Sequence, residues 1–363
     1  MRLLSRSLRR LGGFLRRTSR QVQVRTRDPI NHVILLDGTM SSLDEGEETS
    51  VGLIYKDLAS VAADGNLRLF YEGGAQWHDW SATLTIIEGR GINRQIRRAY
   101  GWLASRYRTG DRIFLIGYSR GAYAVRSLAG VIDGVGLLRP EHATERRVAV
   151  AYRHYQYPMS SEVRTAFRRR FCREAVSIEA VAVFDTVKAL GFRAPFVKKW
   201  ADVKHSFHNH ELGQSVRHGF HALALDETRE AFAPVLWTCD GTHQGQVEQM
   251  WFAGTHGDVG GQLLGMQAAR PFANVALTWM LARLEDCGLP LPDDWRDRHP
   301  ADPDAPSVGN LRGWGKFFLA RKRREVGLDP SEKIHPTAIA RSPRAPIIEG
   351  LSPPNVRGVA KSA

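Results

Sequence analysis

The sequence predicts an α/β fold, in which a mostly parallel central sheet carries helices on both faces. Short apolar segments alternate with longer segments of helical periodicity along most of the chain, a pattern typical of a parallel sheet covered on both sides. The length of 363 residues and the hydrophobic content of 43% suit one large domain. A core of that size needs no disulfide bond or metal ion to be stable.

The predicted elements follow one another in order along the chain. Strands are expected at 31–36, 67–71, 113–118, 181–184, 221–225 and 247–252, and helices at 51–62, 92–107, 122–132 and 275–284. Two basic stretches, 140–176 with a helical pattern and 192–216 without one, are expected to form a cap or insertion. The domain is expected to extend over 29–341, between a basic arm at 1–28 and a Pro-rich tail at 342–363.

The most informative motif is the pentapeptide Gly117-Tyr118-Ser119-Arg120-Gly121, between a run of apolar β-formers and a helix-compatible run. Hydrolases hold a nucleophilic serine on such a strand-to-helix turn. The turn leaves no room for side chains at its flanking positions, which explains Gly117 and Gly121. Ser119 is then expected on a strained corner, at the positive N-terminal end of the next helix. A glycine-bounded turn with an unreactive serine is the alternative.

Two further strand ends supply candidates for the base and the acid that a serine nucleophile requires. Asp185 follows the apolar run 181–184, and His256 is expected on a glycine-rich loop after 247–252. The chain order Ser, Asp, His is that of hydrolases with this motif, and the carboxyl ends of parallel strands share one edge of a sheet. Asp258 is the rival acid, although its closeness to His256 favours a role in stabilising the loop. A turn-forming Asp185 and a purely structural His256 are the alternatives.

The negative charge that develops during acyl transfer needs main-chain donors near the serine. One donor is expected to be the N–H of Arg120, directly after the nucleophile. The other is expected in the loop after the first strand, where Gly38 and Thr39 are the candidates. Asp37 would hold that loop in place rather than react, because an Asp at such a position commonly forms a turn.

The basic charge of the chain is concentrated near its N-terminus. Nine of the 51 Lys and Arg residues lie within 1–27, which contains no acidic residue, so this arm supplies most of the net charge of +13. Its leucines recur at helical spacing, which is compatible with an amphipathic helix on an anionic membrane surface. A solvated tail is the alternative. No nucleic-acid partner is expected, because aromatic residues do not interleave with the arginines.

Cysteine usage and hydropathy indicate the compartment. The chain has three cysteines without metal-ligand spacing, and an odd, sparse set is typical of buried thiols in a reducing compartment. Arginines interrupt every N-terminal apolar stretch, so no secretory signal is expected, and no run is long enough for a membrane span. We therefore expect a cytoplasmic protein, with the arm as a candidate peripheral membrane contact. The histidines within 205–210 have no Asp or Cys at ligand spacing, so no metal or organic cofactor is expected.

Several blocks of the sequence together resemble one known family. They are Leu35-Leu-Asp-Gly-Thr39, Phe70-Tyr-Glu-Gly73, Gly110 to Arg126, Val183-Phe-Asp-Thr-Val187, His221 to Arg229, Trp251 to Gly261 and Ile334-His-Pro336. In this order, from about residue 31 to 356, they resemble the DUF2235 family of uncharacterised α/β-hydrolases, which includes type VI secretion phospholipase effectors. The resemblance implies a triad of Ser119, Asp185 and His256 and the hydrolysis of carboxylic esters, phospholipids being the best-known substrates. Tyr118 departs from the family, where Phe is commoner.

The leading hypothesis is an α/β-hydrolase that cleaves lipid esters through a Ser-His-Asp triad and an acyl-enzyme. A soluble esterase or thioesterase acting on a small substrate is the second hypothesis. A non-catalytic binding module on the hydrolase scaffold is the third. Labelling by a fluorophosphonate that is lost in Ser119→Ala separates the third hypothesis from the first two.

Overall fold

A computed structural model describes residues 27–64, 66–74, 90–157, 160–187, 211–239, 241, 243–312 and 320–341. Seven strands within these residues form one sheet. They are β1 Asn31–Leu36, β2 Leu67–Glu72, β3 Arg112–Tyr118, β4 Ile178–Phe184, β5 Val216–Ala224, β6 Gln246–Phe252 and β7 Glu332–Ile334. Their order across the sheet is β2-β1-β3-β4-β5-β6-β7, and every neighbouring pair is parallel.

Helices follow most of the strands, as the alternating pattern predicts. They are α1 Ser50–Val61, α2 Arg90–Arg106, α3 Arg120–Gly134, α4 Glu145–Gln156, α5 Ser161–Phe171, α6 His256–Gly260, α7 Arg270–Asp286, α8 Trp295–Arg298 and α9 Pro336–Arg341. No helix within the described residues is long and apolar enough to cross a membrane.

The sheet is buried on both sides. Along β3, Ile113 and Leu115 belong to one core, whereas Phe114 and Ile116 belong to the other, as alternate residues of a strand do. Helices α2 and α3 cover the first face, and α1 and α7 cover the second. The predicted α/β fold, with a mostly parallel sheet and helices on both faces, is confirmed.

The strand order places a change of direction in the sheet beside the predicted nucleophile. β1 lies between β2 and β3, with Leu36 opposite Gly117. The chain leaves β1 toward α1 on one face of the sheet and leaves β3 toward α3 on the other. Ligands of open α/β sheets bind outside the carboxyl ends of the strands at such a switch point. The loop that begins at Asp37 and the turn at Ser119 therefore flank a natural binding position.

The predicted elements differ from the observed ones in a few places. The strand expected at 221–225 is the longer β5, and β7 and α9 were not predicted. The basic stretch 140–176 forms α4 and α5, and α4 packs against α2 and α3 on one face of the sheet. The proposed second insertion falls mostly on 192–210, which lies outside the described residues, as do 1–26 and 342–363.

The three cysteines are free thiols, and the burial expected for them holds for two of the three. Cys172 and Cys287 are buried, whereas Cys239 is half-buried. Burial raises the pKa of the first two to about 11, so both remain protonated at neutral pH.

Candidate active site

A strained turn holds Ser119 at the end of β3. Its main chain has φ 57° and ψ −119°, a conformation that residues other than glycine rarely adopt. A Cβ atom on Gly121 would lie 2.0 Å from the carbonyl oxygen of Leu36, and one on Gly117 would lie 2.7 Å from the carbonyl oxygen of Gly121. The glycines on both sides of the turn are therefore required by the close packing of α3 against β1 and β3.

Three side chains from distant parts of the sequence meet at this turn. Nε2 of His256 lies 2.8 Å from Oγ of Ser119, and Nδ1 of His256 lies 2.5 Å from Oδ2 of Asp185. The residues are 7% (Ser119), 3% (His256) and 0% (Asp185) exposed. An imidazole placed between a hydroxyl and a carboxylate can accept the hydroxyl proton at Nε2 while Nδ1–H donates to the carboxylate. The geometry is that of a nucleophile, a base and an orienting acid.

The imidazole of His256 is held by its neighbours. The ring centroids of Tyr118 and Phe232 each lie 4.8 Å from that of His256. The main-chain N–H of His256 donates to Oε2 of Glu227 at 3.2 Å. The sequence predicted that His256 lies on a loop, and this was wrong, because His256 is the first residue of the short helix α6. Its position is therefore fixed through both ring and main chain.

The rival acid, Asp258, has its carboxylate in a different set of contacts. Its Oδ2 atom accepts hydrogen bonds from the N–H and the hydroxyl of Thr255 and from the hydroxyl of Ser307, at 2.7–2.8 Å. Its Oδ1 atom accepts from the N–H of Val308 at 2.7 Å. Together these bonds cap α6 and join it to the 307–308 segment. They support the expected structural role for this residue.

A buried arginine pairs with Asp185, a contact that the sequence did not indicate. Nη1 of Arg324 lies 2.5 Å from Oδ1 of Asp185, and Nη2 lies 2.9 Å from Oδ2. The Arg324 side chain is 3% exposed. Burial raises the pKa of Asp185, but the charge of Arg324 and the hydrogen bonds from His256 and Arg324 outweigh it, so the pKa lies well below its ordinary value. Asp185 is therefore ionised at neutral pH.

The loop after β1 lies beside the nucleophile turn, since a Cβ atom on Gly38 would lie 3.5 Å from Cβ of Ser119. The N–H of Gly38 already donates to Oδ1 of Asp37 at 2.6 Å, which counts against it as a donor to an oxyanion. Among the described residues, the main-chain N–H groups of Thr39 and Arg120 have no acceptor. Of the three predicted donors, these two have no acceptor within the part of the chain that the structure describes.

The Asp37 carboxylate holds this loop in place through hydrogen bonds. Its Oδ2 atom accepts hydrogen bonds from the hydroxyls of Thr49 at 2.7 Å and Tyr71 at 2.8 Å. Burial raises the pKa of Asp37 to about 6, although the hydrogen bonds from Thr49, Gly38 and Tyr71 lower it. The contacts support the expected role of Asp37 in holding the loop rather than in reacting.

The neighbourhood of Asp185 contains a further buried titratable group, His221. Burial, and to a lesser degree the charge of Arg126, lower the pKa of His221 to about 3. The neutral ring accepts a hydrogen bond from the N–H of Thr186 at 3.1 Å and so supports the turn after β4. Within the described residues, no group of three or more His, Cys, Asp or Glu residues is arranged to hold a metal ion.

The fold and the site define an α/β protein with the side-chain geometry of a serine hydrolase. The chain belongs to the family of Tle1-like phospholipase effectors: the family model described as "T6SS, Phospholipase effector Tle1-like, catalytic domain" matches residues 31–283. The resemblance to the family that includes type VI secretion phospholipases is thereby confirmed. The matched residues include Ser119, Asp185 and His256, and they end before Arg324.

The individual proteins that match this chain share little sequence identity with it. The uncharacterized protein YEL023C of Saccharomyces cerevisiae is 29% identical over 158 residues, which are 40% of this chain and 22% of that protein. An uncharacterized protein from Pseudomonas aeruginosa aligns with 76% of this chain and 48% of its own, at 14% identity and a TM-score of 0.41. A Tle1 effector bound to the VgrG spike of the type 6 secretion system aligns with 64% of this chain and 51% of its own, at 13% identity and a TM-score of 0.29. The chain thus spans about a fifth to a half of these proteins.

Proposed function

We propose that this protein is a serine hydrolase that cleaves carboxylic esters of lipids, phospholipids included, through Ser119, His256 and Asp185. The observation that carries the proposal is the continuous set of contacts from the Asp185 carboxylate through the His256 imidazole to the Ser119 hydroxyl. Membership of a phospholipase effector family supports the lipid substrate.

The reaction proceeds in two steps, in which the acyl group is transferred first to Ser119 and then to water. Nε2 of His256 takes the proton of Ser119 as Oγ forms a bond to the ester carbonyl carbon. The same nitrogen then gives that proton to the alcohol oxygen as the ester C–O bond breaks, which leaves an acyl group on Ser119. A water molecule, deprotonated in turn by His256, attacks the acyl carbon. The bond from that carbon to Oγ of Ser119 then breaks, His256 returns the proton to Oγ, and the acid is released. Asp185 stays ionised and keeps Nδ1–H of His256 directed toward itself.

The tetrahedral intermediate carries its negative charge on the former carbonyl oxygen. The N–H groups of Thr39 and Arg120 are the proposed donors to this oxygen, since they follow the ends of the adjacent strands β1 and β3. Arg120 N–H is also at the N-terminus of α3, where the helix dipole favours negative charge. A single donor of this kind lowers the barrier by roughly 3–4 kcal/mol.

Active-site labelling tests the chemistry directly. A fluorophosphonate should modify the wild-type protein once, at Ser119, and p-nitrophenyl esters should be hydrolysed. Ser119→Ala should abolish both signals, whereas Ser105→Ala, an exposed serine on α2, should leave both unchanged. A folded wild-type protein that neither labels nor hydrolyses any ester would favour a non-catalytic binding module.

The lipid substrate and the role of the basic arm need a second experiment. Hydrolysis of phosphatidylcholine vesicles, with and without phosphatidylglycerol, would be compared for the full chain and for a chain that begins at Arg27, which retains the contact of Arg27 to Asp111. We expect loss of the arm to lower hydrolysis of the anionic vesicles while hydrolysis of a soluble ester is unchanged. Equal vesicle hydrolysis by both chains would assign the arm another role, and no vesicle hydrolysis at all would indicate a soluble-ester substrate.

A further inference from the structure

One arginine outside the matched domain joins three parts of the candidate site. Besides its two contacts to Asp185, Arg324 donates from Nη1 to the carbonyl oxygen of Ala224 at 2.7 Å and from Nη2 to that of Phe232 at 2.6 Å. Ala224 ends β5, and Phe232 is the residue whose ring packs against His256. The guanidinium therefore connects the carboxylate with the segment that supports the imidazole.

The segment that carries Arg324 is itself attached to the site. The N–H of Glu230 donates to the carbonyl oxygen of Ala320 at 3.0 Å, and the N–H of Lys322 donates to that of Thr228 at 2.8 Å. Residues 320–322 thus pair with 228–230, the loop that leads to Phe232. This main-chain pairing holds the backbone next to Arg324 close to the site, so the guanidinium enters from a segment that is itself fixed there.

We propose that Arg324 is a positioning residue of the proposed triad, which fixes the Asp185 carboxylate and the Phe232 segment against His256. The inference rests on the proposed function. The planar guanidinium binds both carboxylate oxygens at once and so fixes the plane of the carboxylate. Oδ2, which also contacts Nδ1 of His256, can then rotate neither away from the ring nor toward solvent.

The charges beside the site are paired. Among the described residues, Glu227, which accepts from the main chain of His256, pairs with Arg229, and Asp185 pairs with Arg324. Removing the guanidinium leaves the buried Asp185 carboxylate without the group that fixes its plane, which misplaces the carboxylate and lowers kcat.

Two substitutions separate position from charge. In the full-length protein, Arg324→Gln should lower kcat for a p-nitrophenyl ester on the order of 10², as expected for a misplaced catalytic group, while KM changes little because Arg324 does not touch the substrate. Arg324→Lys keeps the charge without the planar fork, so it should also lower kcat with little change in KM. Arg323→Gln, an exposed neighbour, is the matched control and should retain wild-type values.

A double-mutant cycle then shows whether Arg324 acts through Asp185. In an Asp185→Asn background, Arg324→Gln should lower kcat by less than threefold, because the group that it positions is already lost. Equal effects of Arg324→Gln in both backgrounds, or a wild-type kcat in a folded Arg324→Gln protein, would overturn the inference. The wild-type protein and Ser119→Ala, assayed together, report separately on the proposed hydrolase activity.

Discussion

The main-chain N–H of Ser119 donates a hydrogen bond to the carbonyl oxygen of Phe184 at 3.0 Å, so the two strained turns of the site are joined. Asp185, the next residue, also has a positive φ, of 41°. Each turn thus holds a non-glycine residue in a conformation that costs of order 1–3 kcal/mol. The folded sheet maintains both conformations and thereby presents both side chains toward His256.

The strain at Ser119 predicts a gain in stability when the nucleophile is replaced by glycine. Ser119→Gly should unfold at a higher denaturant concentration than Ser119→Ala, with a difference of about 1–2 kcal/mol, because glycine adopts φ 57° without a Cβ clash. Chemical denaturation of both variants measures this difference. An alanine variant as stable as the glycine variant would show that the turn is not strained.

The two candidate acids should respond differently to removal of charge. Asp185→Asn should lower kcat on the order of 10⁴, because the amide no longer holds the imidazole in its reactive tautomer. Asp258→Asn should chiefly lower the melting temperature, since its carboxylate joins α6 to Ser307 and Val308. Steady-state kinetics and thermal unfolding of both variants distinguish the roles. A larger loss of kcat in folded Asp258→Asn than in Asp185→Asn would reverse the assignment.

Glycine at position 121 should be essential for a folded site. A methyl group there would meet the carbonyl oxygens of Leu36 and Asp37 at 2.0 and 2.6 Å, so Gly121→Ala should destabilise the protein by several kcal/mol and displace the loop after β1. Gly134 is a matched control in the same helix, because a Cβ atom there meets nothing within 4 Å. Gly134→Ala should be neutral or slightly stabilising. Urea unfolding of both variants provides the test.

Burial of Asp37 predicts a pH dependence of stability that Asp37→Asn should remove. Its pKa is about 6 in the folded protein and 3.8 in its ordinary state, so the folded protein binds the proton more tightly than the unfolded chain. The stability advantage of wild type over Asp37→Asn should therefore be largest below about pH 4 and fall by up to about 3 kcal/mol by pH 6 to 7. Unfolding free energies of both proteins across this range should show the change, and parallel curves would contradict it.

The sequence predicted most of the sheet because its strands are apolar runs that end in polar or glycine residues. β1 was predicted with its observed limits, and Asp37, Ser119 and Asp185 follow strand ends as expected. β7 could not be recognised, because Ile334 is its only apolar residue. Its Glu332 is nevertheless fully buried and accepts a hydrogen bond from the indole N–H of Trp251 at 2.7 Å. Only the folded arrangement reveals that partner.

The candidate site was predictable to the extent that each residue has its own local signal. The glycine-flanked Ser119 and the strand-terminal Asp185 have such signals, although their catalytic roles remain predictions. Arg324 has none, since it lies in a run of four basic residues of which the other three are exposed. Phe232, in a short turn distant from His256 in sequence, also has no local signal of its role. Their roles follow from long-range packing, which local patterns do not encode.

The placement of Arg324 has a consequence for the protein while it is being synthesised. Ser119, Asp185 and His256 are translated before Arg324, and the guanidinium that completes their arrangement lies 68 residues after His256. A ribosome-bound nascent chain cannot assemble the full constellation until that region has left the exit tunnel. Under the proposed positioning role, a nascent chain that has exposed Ser119, Asp185 and His256 but not Arg324 does not yet hold the Asp185 carboxylate in its final place.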